Sequence, residues 1–218
     1  MTLATTIKDE PYRYASGQPV NNWDNKYIGS ALVRYAIEHS MNVCAVRTLT
    51  ETVGLEKGYK YLENFGFTTL VNNDPNYPGM SDIAQATALG GITRGVYNIE
   101  MTAAYAAIAN SGIYTEPLLY TEILDHDGNV LIDNSKPITR RVLKESTAFL
   151  LTSAMQDVIN RGTGTPARLN NMPAAGKTGT TENSTDLWLS AYTPYYTCSV
   201  WTGYDEDKTL EQFWNQSW

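Results

Sequence analysis

The stretch "AAGKTGTTENSTDLWLSAYTP", residues 174 to 194, decides the fold. "AAGKTGT" is small and β-compatible. "DLWLSAY" and then "YTCSVWTGY" follow a period of two, with "TPYY" as the turn between them. The pattern predicts an antiparallel tail sheet. Its first strand carries Lys177, Thr178, Gly179 and Thr180. A lysine there is a fixed positive charge, and two threonine hydroxyls can bind a carboxylate. A glycine lets a ligand backbone lie against the strand, and strand N–H groups can stabilise an oxyanion. These four residues leave two alternatives open: a ligand cradle, or a solvated edge lysine in a Gly/Thr turn.

Upstream, the pattern is mostly helical. "KESTAFLLTSAMQDVINRG" predicts a long amphipathic helix with Ala148, Leu151, Met155 and Val158 on one face, closed by Gly162. "NIEMTAAYAAIANSG" predicts another, with Met101, Ala104, Tyr105, Ile108 and Ala109 together. "LLYTEILDHDGNVLID" predicts two short strands joined by a turn. "IAQATALGG" and "LEKGYKYLENFGF" predict shorter helices, and "VNNDPNYPGMSD" a loop. A helix is expected from Ile28, with Ile28, Leu32, Tyr35 and Ala36 on one side. A break at "HSMN" separates it from a second helix through Val43, Val46, Thr50 and Val53 that ends at Gly54. Residues 1–27 are polar and rich in turn formers, and are expected as an irregular surface segment. The fold class is α+β, with a helical layer packed on an antiparallel sheet.

Bulk properties narrow the function. A net charge of −7 without a basic run disfavours nucleic acid. Cys44 and Cys198 form no CxxC and are expected as core thiols of a helix and a strand. With only His39 and His126, no metal site is expected. His39 is expected to be packed or capping, and His126, in the "DHDGN" turn, solvated. Trp188 and Trp201 are expected in sheet packing, one of them able to rim a cleft. The N-terminus has no signal-peptide pattern, and no stretch is long and apolar enough for a membrane span.

"SMN" places Ser40 and Asn42 two apart at the break between two helices. Either residue can act as a helix cap. Alternatively both face one cleft, where a serine relays a proton and an asparagine holds a substrate amide. In order, "SMN" and "KTGT" fill the second and third places of the S-x-x-K, S-x-N, K-T-G series of penicillin-binding proteins and β-lactamases. The flanks "YIGSALVRYAIEHSMNVCAVRTLTETVG", "ALGGITRGVYNIEMTAAYAAIANSG", "INRGTGTPA" and "VWTGYD" resemble the transpeptidase domain of class A penicillin-binding proteins, from about Tyr27 to Asp205. They resemble these synthases rather than β-lactamases.

The resemblance implies a penicillin-binding, serine-β-lactamase-like transpeptidase fold. It implies a serine acyl-enzyme formed on D-Ala-D-Ala stem peptides and trapped by β-lactams, with no cofactor. Ser40 would be the proton relay, Asn42 the substrate-amide ligand and Lys177 the charge that polarises Ser40. Thr178 and Thr180 would bind the substrate carboxylate beside Gly179, and the Thr180 N–H would join the oxyanion hole. The parent protein would be anchored in the bacterial cytoplasmic membrane with this domain outside.

One element of the series is missing. No serine in the 218 residues has a lysine three positions on. Thr5 with Lys8 has the spacing, but lies in a polar stretch too close to "SMN". The chain is therefore expected to be a partial transpeptidase domain, residues 1–218, lacking the N-terminal strands and the S-x-x-K helix. It is expected to be inactive alone, and marginally stable or associating unless another chain supplies the gap. The alternative is a non-catalytic module that keeps the carboxylate cradle and binds peptidoglycan or a partner. The family's closing helix would begin in "EQFWNQSW".

Overall fold

A computed structural model describes residues 1–206 and 208–210. The expected start of a closing helix at 211–218 lies outside the described residues. Strands β1 (Thr6–Asp9), β2 (Tyr12–Arg13), β3 (Pro19–Val20) and β4 (Gly29–Leu32) precede the first helix. This corrects the expectation that residues 1–27 are irregular. β1 pairs antiparallel with β4, and β2 with β3. The strands are hidden in the sequence because they are only two to four residues long and their apolar contacts are scattered, Ile7 and Ala31 joining one core cluster and Tyr12 and Val20 another, with buried polar bonds beside them. Asp9 is fully buried and accepts hydrogen bonds from Asn22 Nδ2 and the Ile28 amide, both at 2.8 Å. Pairing with β1 also explains why no helix begins at Ile28. Gly29 has φ 81°, and the backbone stays extended through Leu32.

Helix α1 (Val33–Glu38) is short, and α2 (Asn42–Arg47) follows a tight turn. α2 continues as a π-helical turn, Thr48–Val53, that stops at Gly54 with φ 89°. Helix α3 (Leu55–Asn64) forms as expected. "IAQATALGG" supplies only a 3₁₀ turn, Gln85–Leu89. The buried carboxylate of Asp82 organises this region. It accepts from the Val71 amide at 2.7 Å, the Thr93 amide at 2.8 Å and the Thr93 hydroxyl at 2.7 Å.

Helix α4 (Asn98–Ala109) leads to β5 (Ile113–Thr115), β6 (Glu122–Leu124), β7 (Val130–Asp133) and β8 (Thr139–Arg141). β5 pairs with β8, and β6 with β7. Helix α5 (Glu145–Asn160) then packs along β9 (Ala175–Thr180). β9, β10 (Asp186–Tyr192) and β11 (Thr197–Gly203) form an antiparallel sheet in the order β11-β10-β9.

The main core lies between α4, α5 and this sheet. Ile108, Ala148, Met155, Ala175 and Tyr192 meet there, with Ile37, Tyr105 and Leu151 against them. α4 buries more than the expected face, because Ala103 and Ala107 join a second cluster with Tyr114 and Val142. Cys44 is buried, as expected of a helix-core thiol, and burial pushes it up to about 11. Cys198 is exposed, which corrects its placement in the strand core. Among the described residues no helix is long and apolar enough to cross a membrane.

Candidate active site

The turn between α1 and α2 is the first part of the site. Ser40 has φ 53°, the left-handed region that L-residues seldom occupy. Neither Ser40 nor Asn42 caps α2, whose N-cap is Met41 with no side-chain bond. Instead Asn22 Oδ1 accepts the Val43 amide at 3.2 Å, and Asn42 Nδ2 donates to the Asn21 carbonyl at 2.9 Å. The polar N-terminal segment therefore provides the cap, and Ser40 is left for other work.

That work is with β9. Lys177 Nζ donates to Ser40 Oγ at 2.7 Å and to the Thr178 carbonyl at 2.9 Å. The two residues are 137 apart in sequence. Burial lowers the Lys177 pKa to about 8. An ammonium with a pKa so close to neutrality can exchange a proton with a hydroxyl at hydrogen-bond distance. Beside it, Thr178 Oγ1 and Thr163 Oγ1 share a hydrogen bond of 2.8 Å. β9 is an edge strand among the described residues, and Thr180 at its end is exposed. Gly179 faces Trp188 across the strand pair, where a Cβ would lie 3.3 Å from the Trp188 Cβ.

The structure thus joins Ser40 and Lys177 directly and sets Thr178, Gly179 and Thr180 along the same edge. Asn42 stands two residues beyond Ser40, oriented by Asn21. His39 stacks on Tyr35 with ring centroids 3.9 Å apart, as befits a packed histidine. His126 is exposed in its turn. Trp201 Nε1 donates to Asp186 Oδ1 at 2.8 Å, and Trp201 lies opposite Trp188 in the sheet.

Sequence inspection missed the residues that hold these groups. Glu38, Arg161 and Thr163 tie the end of α1 to the segment after α5. Both Glu38 carboxylate oxygens accept from Arg161 Nε at 3.0 Å. The Gly-Thr-Gly in "INRGTGT" was the available signal. A Cβ on Gly162 would meet the Glu38 carbonyl, so only glycine lets the two segments approach.

With this geometry in view, comparison with known proteins is decisive. The model of the penicillin binding protein transpeptidase domain matches residues 1–213. This chain belongs to the penicillin-binding transpeptidase family. It is 38% identical to penicillin-binding protein 1A of Clostridium acetobutylicum, over 96% of this chain and 26% of that protein. It is 35% identical to penicillin-binding protein 1A of Streptococcus pneumoniae, over 95% of the chain and 30% of that protein. The chain thus spans about a quarter to a third of the length of these relatives. Among solved structures it resembles penicillin-binding protein PonA1 of Mycobacterium tuberculosis, with TM-score 0.80 at 24% identity. That match covers 95% of this chain and 57% of the other. Penicillin-binding protein 1A of Haemophilus influenzae gives TM-score 0.79 at 23% identity, over 96% and 36%. These likenesses show that the α+β fold is the penicillin-binding transpeptidase fold.

Proposed function

We propose that this chain forms part of a D,D-transpeptidase domain that cross-links peptidoglycan stem peptides through a serine acyl-enzyme. The observation that carries the proposal is the 2.7 Å contact between Lys177 Nζ and Ser40 Oγ at the edge of a Thr-Gly-Thr strand. An attacking serine Oγ forms an ester with the carbonyl carbon of the penultimate D-alanine, and the amide C–N bond breaks. The leaving amine needs a proton. Ser40 Oγ delivers it and is resupplied along the chain of groups that includes Lys177. Thr178 and Thr180 hold the terminal carboxylate, Asn42 holds a substrate amide, and the Thr180 N–H takes the oxyanion. An acceptor amine then displaces the ester. A β-lactam enters the same cradle and leaves the serine acylated. PonA1 has been solved with penicillin V, which supports a β-lactam ligand here.

The attacking serine belongs to an S-x-x-K segment outside these 218 residues, in the parent protein or on another chain. One observation supports this: no serine in the sequence has a lysine at the third following position. The parent protein sits on the extracytoplasmic side of the bacterial membrane, where its substrate is. The absent S-x-x-K also favours a second possibility, a module that binds stem peptides without chemistry.

Intact mass after incubation with a reactive penicillin tests both. The 218-residue chain gains no mass, whereas the protein encoded by the whole gene gains one penicillin on an S-x-x-K serine. A stoichiometric adduct on the 218-residue chain would overturn the external serine. Reversible binding by the whole-gene protein without an adduct would leave the binding module or a serine supplied by another chain.

A further inference from the structure

Glu38 is nearly buried, its side chain 8% exposed, yet it faces a guanidinium that is 59% exposed. A buried carboxylate needs its partner far more than an exposed arginine does, because loss of the cation leaves an uncompensated charge out of water. Arg161 is fixed on its other side by Asp157, at 2.9 Å from Nη2. Asp157 in turn takes Arg34 Nη1 at 2.6 Å, and Arg34 Nη2 donates to Ser153 Oγ at 2.9 Å. This lattice ties α1, from Arg34 to Glu38, to the second half of α5 and to Arg161 just beyond it.

Its position matters more than its strength. Two residues after Glu38 comes Ser40, bonded to Lys177. Two residues after Arg161 comes Thr163, bonded to Thr178. Lys177 and Thr178 are neighbours on β9. The contacts therefore close a ring: Glu38 to Ser40 along the chain, across to Lys177, on to Thr178, across to Thr163, back to Arg161, and across to Glu38. The Thr163 amide also donates to the Glu38 carbonyl at 3.3 Å. The Thr163–Glu38 backbone bond runs beside the ion pair, so loss of Arg161 loosens the ring without opening it. Ser40 is the member most sensitive to such loosening, since it sits two residues from Glu38 at a φ of 53° that L-residues seldom adopt.

We propose that the Glu38–Arg161 ion pair is a clamp that sets the separation of Ser40 from Lys177, which makes Arg161 a positioning residue for acyl transfer. This rests on the transpeptidase assignment above. Arg161 touches neither reacting atoms nor relay; it acts through the turn at Ser40 and through Thr163. Without it, Ser40 and the lysine still bind ligand in their neighbourhood but spend less time at transfer distance.

The test uses the complete protein with its S-x-x-K serine. Acylation by a chromogenic cephalosporin is followed in the pre-steady state, so that the dissociation constant and the acylation rate constant separate. A misplacement near 1 Å is worth about 100-fold in rate, so Arg161→Met is expected to slow acylation about 10- to 100-fold with Kd within about threefold. Arg161→Lys, which keeps the charge, recovers much of the loss. Glu38→Gln slows acylation like Arg161→Met, and the double variant is no slower than either, because both break one link. Rates are compared below the thermal transition of every variant.

A raised Kd with an unchanged acylation rate would make Arg161 a ligand contact and overturn the clamp. An unchanged rate with a lowered Tm would make the pair merely structural and overturn it too. A wild type that takes no label would refute the transpeptidase assignment and the clamp with it. A labelled wild type with a full-speed Arg161→Met would refute the clamp alone.

Discussion

The β6–β7 hairpin and the turn at Ser40 are built in opposite ways. The hairpin is made of local contacts. Asp125 Oδ1 accepts the amides of Asp127 at 2.9 Å and Asn129 at 2.8 Å, and Gly128 takes the positive φ of 85°. The hydrogen bonds from Asn129 hold the Asp125 carboxyl below its usual range. Every residue of both strands is exposed, Leu131 at 65%. The turn at Ser40 also closes α1 with local backbone bonds, the Ser40 amide to the Ile37 carbonyl at 3.3 Å and the Met41 amide to the Ala36 carbonyl at 3.0 Å, but its side chains are held from afar. The side-chain bonds of Glu38, Ser40 and Asn42 reach Arg161, Lys177 and Asn21, from 21 to 137 residues away. The hairpin thus forms wherever its own sequence puts it, whereas the site exists only when several distant segments have docked.

The largest expected effect lies on the docked side. In the complete protein, Lys177→Ala slows penicillin acylation about 10²- to 10⁴-fold, the range for a lost proton-transfer group. Its Tm does not fall, since a buried charge is removed. Stopped-flow labelling and calorimetry check the pair. The same lysine makes stability depend on pH. Folded Lys177 loses its proton near 8 and the unfolded lysine near 10.5. Between those values the unfolded state binds more protons, so this residue's contribution to stability rises with pH over that window and is flat below it. Urea titrations at several pH values, with and without Lys177→Ala, isolate the slope.

Next in size is the core beneath the site. Met155→Ala removes a buried side chain between α5 and the sheet and costs about 2–5 kcal/mol by denaturant unfolding. In the hairpin, Gly128→Ala forces an alanine into the left-handed region and costs about 1–2 kcal/mol, felt by hydrogen exchange in β6 and β7 and not in β9. Smallest is Leu131→Thr, within about 0.5 kcal/mol in the same titration, because a leucine 65% exposed on the hairpin has little contact to lose. If Leu131→Thr costs as much as Met155→Ala, the hairpin is not independent of the core and the contrast fails.

The same contrast explains what was legible before any coordinates. The tail sheet, α3, α4, α5 and the β6–β7 hairpin follow from hydrophobic period and turn residues, which are local properties. The N-terminal strands do not, because two to four residues are too few to show a hydrophobic period, and Asp9 and Asn22 add buried polar bonds that no such pattern reports. Cys198 looks like core because a strand's letters do not say which face is covered. The candidate site was legible through "SMN" and "KTGT" as a pair of motifs, though not in the part played by Asn42, whose amide turns to the Asn21 carbonyl rather than capping α2.

By itself, then, the sequence determined the elements that hold themselves together and the two motifs whose chemistry is written in their side chains. The tertiary structure decided the rest. It made Ser40 a partner of Lys177 instead of a helix cap, lowered the lysine's pKa toward 8 by burying it, and linked Glu38 to Arg161 across 123 residues. Each of these depends on how distant segments exclude water from one another, and that is a property of the docked fold rather than of any single stretch of chain.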